Sequence, residues 1–158
     1  MIEIERTLTV NDGTGPDLTV DQMWDGLIDK ARNPMRYVPE ITACTVTEEF
    51  DGGIVRDIIN FGKPVTEVVT WYPQRLVHFV RTRGEVMGTI DNDLQADEQG
   101  GMQLTFRFRL AVRGMEPGGA EEHAFAQEMA TGYLNAVKTT IRMAREKAHG
   151  AASSGAGQ

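Results

Sequence analysis

Arg56, Glu67 and His78 place a guanidinium, a carboxylate and an imidazole on three consecutive stretches that read as neighbouring strands. If Gly62-Lys63 is a two-residue turn, Phe61 pairs with Pro64 and Arg56 stands opposite Val69. If Pro73-Gln74 is the next turn, Val69 stands opposite His78. The three side chains then share one sheet face, with Glu67 diagonal to the other two and within reach of long side chains. Such a set makes a polar anchor at the base of a cavity, able to hold a ligand's carboxylate or hydroxyl or to polarise a carbonyl. In an enzyme, His78 or Glu67 would be the general base and Arg56 would hold a developing oxyanion. A competing register is equally readable. One bulge reverses the parity. The opposite face (Val55, Ile59, Phe61, Val68, Tyr72, Val77 and Phe79) would then be the inner one, and the trio would be a surface charge cluster. Both faces carry large apolar side chains, Trp71 and Ile58 among those on the trio's face. Whichever face is outward therefore suggests a homodimer formed through the sheet.

Other chemistry is thinly represented. The remaining histidines, His123 and His149, are scattered, and no HExxH or Cys-His spacing exists, so no metal site and no cofactor are expected. Gly13-Thr14-Gly15 and Gly118-Gly119 lack the dinucleotide and phosphate-loop patterns and read as turns. The only serines, Ser153 and Ser154, fall in a small, polar tail, which removes a serine nucleophile. Cys44 is the single cysteine and reads as structural; it also forbids an internal disulfide, as in a reducing compartment.

The elements that must position the trio are legible from periodicity. Met102, Leu104, Phe106, Phe108, Leu110 and Val112 alternate with Gln103, Thr105, Arg107, Arg109 and Ala111, a strand with one buried face. After the break at Pro117-Gly118-Gly119, Phe125, Met129, Tyr133, Val137, Ile141 and Ala144 recur at helical spacing, predicting one long helix to about Ala148. Ile2, Ile4, Leu8 and Val10 mark a first strand, with Arg6 the one charge on its apolar face. A helix starts near Thr19 or Asp21, carries Trp24, Leu27, Ile28 and Ala31 inward, and stops at Asn33-Pro34. A short second helix is expected over Pro34 to Val38. Strands follow over Thr42 to Phe50, Gly53 to Phe61, Pro64 to Tyr72, Arg75 to Thr82 and Glu85 to Leu94. The expected fold is α+β: a curved antiparallel sheet of about seven strands wrapped around a long C-terminal helix. Residues 1–148 are expected to form a single domain and 149–158 a disordered tail.

The chain has 158 residues, 41% hydrophobic and 25% charged, with a net charge of -7. The length suits one domain. The acidic balance argues against nucleic acid and against an anionic membrane surface. Met1 to Arg6 is charged and alternating, unlike a signal peptide, and no apolar run would span a bilayer, so a cytoplasmic protein is expected.

Ala31-Arg32-Asn33-Pro34, Val38-Pro39-Glu40-Ile41, Glu48-Glu49-Phe50-Asp51-Gly52, Val55-Arg56-Asp57-Ile58 and Tyr72-Pro73 resemble the AtaL-like family of the START and birch-pollen-allergen (SRPBCC) superfamily. The resemblance runs from about Ile2 to Ala148 and implies the helix-grip fold. It implies a deep cavity for a small hydrophobic or aromatic ligand. Some branches are polyketide aromatases or cyclases, and others are protein-interaction modules, so a cyclase-like or dehydratase-like enzyme and an interaction module stand beside ligand binding. No catalytic residue transfers with it. The candidate ligand-binding residues are Arg56, Glu67, His78, Trp71, Phe106, Phe108, Phe125, Met129 and Tyr133, with the helical stripe closing the cavity opposite the two phenylalanines.

Overall fold

The computed structural model describes residues 1–99 and 101–150. The elements are β1 (Ile2–Thr9), α1 (Val20–Arg32), β2 (Ile41–Phe50), β3 (Gly53–Asn60), β4 (Lys63–Tyr72), β5 (Leu76–Arg83), β6 (Val86–Ala96), β7 (Met102–Val112) and α2 (Ala120–Arg145). A 3-10 turn at Pro34–Arg36 follows α1. All strands join one antiparallel sheet in the order β1-β7-β6-β5-β4-β3-β2, so β2 to β7 form a meander and β1 closes on β7. His149 and Gly150, expected in the tail, belong to the π-helical turn Glu146–Gly150 that continues α2. The remainder of the expected tail, 151–158, lies outside the described residues. No helix of the described residues is long and apolar enough to cross a membrane.

Local chemistry sets the helix positions. Thr19 caps α1 by a reciprocal box: its hydroxyl accepts from the Gln22 amide at 3.1 Å, and the Gln22 side chain accepts from the Thr19 amide at 2.9 Å. Asn33 ends the helix because the residue before a proline is disfavoured in the helical region. Met23, Leu27, Lys30 and Ala31 are buried, with Trp24 and Ile28 half-buried beside them. α1 meets α2 at Gly26, where a Cβ would approach that of Ala144 to 2.7 Å. Arg145 ties the end of α2 to the loop after β1 through the Val10 carbonyl and Asp12.

The hairpins decide which residues face inward. Asn60 pairs with Lys63, so the β3–β4 turn is Phe61-Gly62, with φ of 51° and 74°. Both left-handed values fit a type I′ hairpin turn. Relative to the expected Gly62-Lys63 turn, the pairing slides by two residues and keeps every side chain on its expected face. Arg56 therefore pairs directly with Glu67 rather than with Val69. The next loop is one residue longer than expected. Tyr72 pairs with Leu76 across Pro73, Gln74 and Arg75, with Gln74 at φ 62°. An odd residue reverses parity. Val77, Phe79 and Arg81 point inward, and His78 points out. The expected sharing of one face by Arg56, Glu67 and His78 is thus corrected, and so is the alternative that placed Val55 and Phe79 together. The outer face carries Val55, Val68 and Val80, all half-buried, beside a cross-strand ion row of Glu5, Arg107, Asp91 and His78.

Candidate functional site

The inner face is built of cross-strand rows. One row reads Ile54, Val69, Phe79, Ile90, Phe108 and Ile4 from β3 round to β1. The neighbouring row reads Arg56, Glu67, Arg81 and Gly88. The row on the other side contains Trp71, Val77, Asn92 and Phe106. Charge thus sits in the middle of an apolar wall.

Glu67 holds the charged row together. Its Oε1 accepts from Arg56 Nη2 at 2.7 Å and Nε at 3.0 Å, and its Oε2 accepts from Arg81 Nε at 3.1 Å. Glu67 is 1% exposed, Arg56 4% and Arg81 8%. Burial opposes the Glu67 charge, but Arg56 and then Arg81 outweigh it, so its carboxyl stays below the ordinary carboxylate range. Arg56 also donates from Nη1 to the Ala31 carbonyl at 2.6 Å, which satisfies the C-terminal end of α1. Each of its three nitrogens donates. Arg81 uses only its Nε; both terminal amino groups make no hydrogen bond among the described residues and keep some solvent contact. The register position beside it is Gly88, where φ is 135° and a Cβ would lie 2.1 Å from the Arg109 carbonyl oxygen. No side chain therefore crowds the guanidinium from β6. Two arginines face one carboxylate, so the row carries a net positive charge.

Lys30 lies above this wall from α1. It is 7% exposed, its Nζ donates to Asn92 Oδ1 at 2.9 Å, and it stands 5.0 Å from the ring centres of both Phe79 and Phe106. Burial, then the charge of Arg56, pulls Lys30 down to about 7, with Glu67 opposing. Asn92 is 0% exposed, and its Nδ2 has no partner among the described residues.

Of the aromatic candidates, Phe106 and Phe108 are buried in the wall, and the Tyr133 ring lies 3.7 Å from that of Phe108. Burial pushes the Tyr133 hydroxyl up to about 12, with Arg81 opposing and Glu67 reinforcing the rise. Tyr133 therefore belongs to the same electrostatic environment as the charged row. Phe125 and Met129 are half-buried against the core on the same stripe of α2. Trp71 is on the inner face but is covered by Arg32, whose guanidinium carbon stands 5.2 Å from the ring centre. His78 is outside, its Nδ1 hydrogen-bonded to Asp91. Cys44 is half-buried on β2, its thiol raised by burial. No group of acidic, histidine or cysteine residues suited to a metal ion occurs among the described residues.

Two open grooves lie elsewhere. One of about 450 Å³ runs between Thr9 and the β6–β7 connection, and one of about 210 Å³ lies where the start of β1 meets the start of α2. Neither is lined by the charged row.

Lys30, Arg81 and Asn92 escape a reading based on motifs, though each carries a signal. Each is a polar residue at a position whose period marks it as inward: Lys30 three residues after Leu27, Arg81 two after Phe79, and Asn92 between Ile90 and Leu94.

An antiparallel seven-stranded sheet closed by a long C-terminal helix is the helix-grip architecture of START-like proteins. The chain aligns with the di-domain ARO/CYC StfQ from the steffimycin biosynthetic pathway at a TM-score of 0.71 and 14% identity, covering 94% of this chain and 52% of that one. It therefore spans about half of that di-domain protein. The Zhui aromatase/cyclase from Streptomyces sp. R1128 aligns at 0.68 and 16%, covering 92% and 94% of the two chains. A START superfamily protein from Mycobacterium smegmatis aligns at 0.68 and 11%, covering 90% and 99%. No curated protein matches the chain in sequence. The profile of the AtaL family, described as acetylaranotin biosynthesis cluster protein L, matches residues 4–150, and the chain belongs to that family.

Proposed function

We propose that the chain binds one small hydrophobic or aromatic molecule carrying an anionic or strongly polarised oxygen, between the inner sheet face and the first half of α2. The observation that carries this reading is the buried row of Arg56, Glu67 and Arg81 with its excess positive charge. Uncompensated buried charge is costly, and a ligand oxygen at the uncommitted end of Arg81 would compensate it. Phe108, Tyr133, Met129 and Phe125 would supply apolar lining, and methionine adapts readily to a ligand's shape. The ligand's entry would displace the Tyr133 ring, which rests against Phe108.

A second reading, cyclase-like chemistry on a polyketide-like chain, rests on the same guanidinium. Arg81, with Tyr133 nearby, would hold an enolate oxygen as it develops. The likeness to solved aromatase/cyclases supports this reading at the level of fold.

Titration with 1-anilinonaphthalene-8-sulfonate, an aromatic anion, tests the binding reading. The expected result is saturable binding at one site, weakened about tenfold by Arg81→Leu. That variant leaves the Arg56–Glu67 pair closed and neutral, so it should remain folded. Unsaturable binding, or equal affinity in both proteins, would refute the site.

A further inference from the structure

Asn92 and Lys30 form a polar centre that the charged row does not explain. Asn92 lies on β6 between Val77 and Phe106, fully buried, and a lysine from another element reaches over to it. A lysine donates to an amide oxygen, which fixes Oδ1 toward Nζ and turns Nδ2 away from it. That Nδ2 is a buried donor without an acceptor. Buried amides are almost always paired and an orphan is costly, so the position calls for an oxygen that the described residues do not supply. Lys30 meanwhile lies over two phenylalanine rings with no carboxylate in hydrogen-bond contact, since Glu67 is committed to the two arginines. The ring faces and the Asn92 oxygen favour its ammonium, but burial and the neighbouring Arg56 charge oppose it, and the neutral amine has a lone pair to offer.

One donor seeking an oxygen beside one base able to take a proton is the complement of an acidic hydroxyl. Resting on the interior-binding reading above, we propose that Asn92 Nδ2 and Lys30 Nζ together receive the phenolic or enolic hydroxyl of an aromatic ligand. Asn92 donates to its oxygen and Lys30 takes its proton. The transfer balances simply: the O–H bond breaks, its proton forms an N–H bond on Nζ, and the electron pair stays on oxygen. The resulting oxyanion faces an ammonium and an amide donor. The charged groups that act on Lys30 are Arg56 from β3 and Glu67 from β4, and Glu67 is in turn held by Arg81 from β5. Their sum is positive, which favours the oxyanion further.

The test uses 4-nitrophenol, coloured as its anion, and 4-nitrotoluene, of similar shape without the hydroxyl. In the wild-type protein the titration midpoint of bound 4-nitrophenol should fall at least one pH unit below that of the free phenol. In Lys30→Met the midpoint should return to the free value or above it, because an apolar site favours the neutral phenol. Asn92→Leu should lie between. 4-Nitrotoluene should bind wild type and Lys30→Met within twofold, which shows that the site remains formed. A wild-type midpoint at or above the free value overturns the inference while leaving interior binding intact, and so does an unchanged midpoint in Lys30→Met. Failure of both probes to bind overturns the interior-binding reading and this inference with it.

Discussion

Removing the carboxylate of Glu67 leaves Arg56 and Arg81 buried side by side without a counter-ion. Glu67→Gln should therefore lose about 3–5 kcal/mol of stability, seen as a lower urea midpoint at unchanged slope. A loss within the range of ordinary surface substitutions would mean that the row is solvated. Lys30 makes the opposite prediction. Its amine titrates near 7 in the folded chain against an ordinary 10.5, so between those values the unfolded chain binds more protons. Stability should rise with pH across that window, by up to ~1.4 kcal/mol per unit. Below about pH 7 the full penalty of the buried ammonium is present, and Lys30→Met should abolish this component and be more stable than wild type there. Thermal unfolding from pH 6 to 10 checks both the slope and its loss. At this scale the sequence was only partly readable. Arg56 and Glu67 are recognisable as partners because a slide of two residues preserves facing, whereas the expectation that His78 shares their face fails at the longer β4–β5 loop. Lys30 and Asn92 matter through burial, and single side chains do not announce their burial.

The helix α2 divides into two physically different halves. Val137, Thr140, Ile141 and Ala144 are buried toward its end, while toward its start Glu122 is the one buried side chain and the apolar Phe125, Met129 and Tyr133 are only half-buried. Local opening costs least where least apolar surface is buried. Amide hydrogen exchange should therefore be faster over 122–134 than over 137–144, which is also where access to the interior requires movement. Uniform protection along α2 would contradict this division and with it the route proposed for a ligand. The periodicity of α2 and the alternation of β7 were legible because each repeats over many residues, so local irregularities average out. The β4–β5 loop was not. Pro73-Gln74 reads as a complete two-residue turn, and nothing in the residue types shows that Arg75 joins it with Gln74 at φ 62°. That one residue decides whether His78 or Arg81 enters the interior.

The whole chain combines a helix-grip scaffold with an interior that holds more positive charge than it neutralises. The scaffold was legible from the order of strands, turns and the final helix, and from short segments resembling the family. The site was less so, because it is assembled from α1, β3, β4, β5 and β6, whose juxtaposition depends on hairpin registers. Native mass spectrometry of the freshly purified protein, before and after organic extraction and then with 1-anilinonaphthalene-8-sulfonate added back, decides whether the interior holds a ligand. A bound mass that leaves with the solvent is expected, followed by one probe molecule per chain. A bare mass at every stage would contradict interior binding, because the interior would then hold its charged row without any ligand.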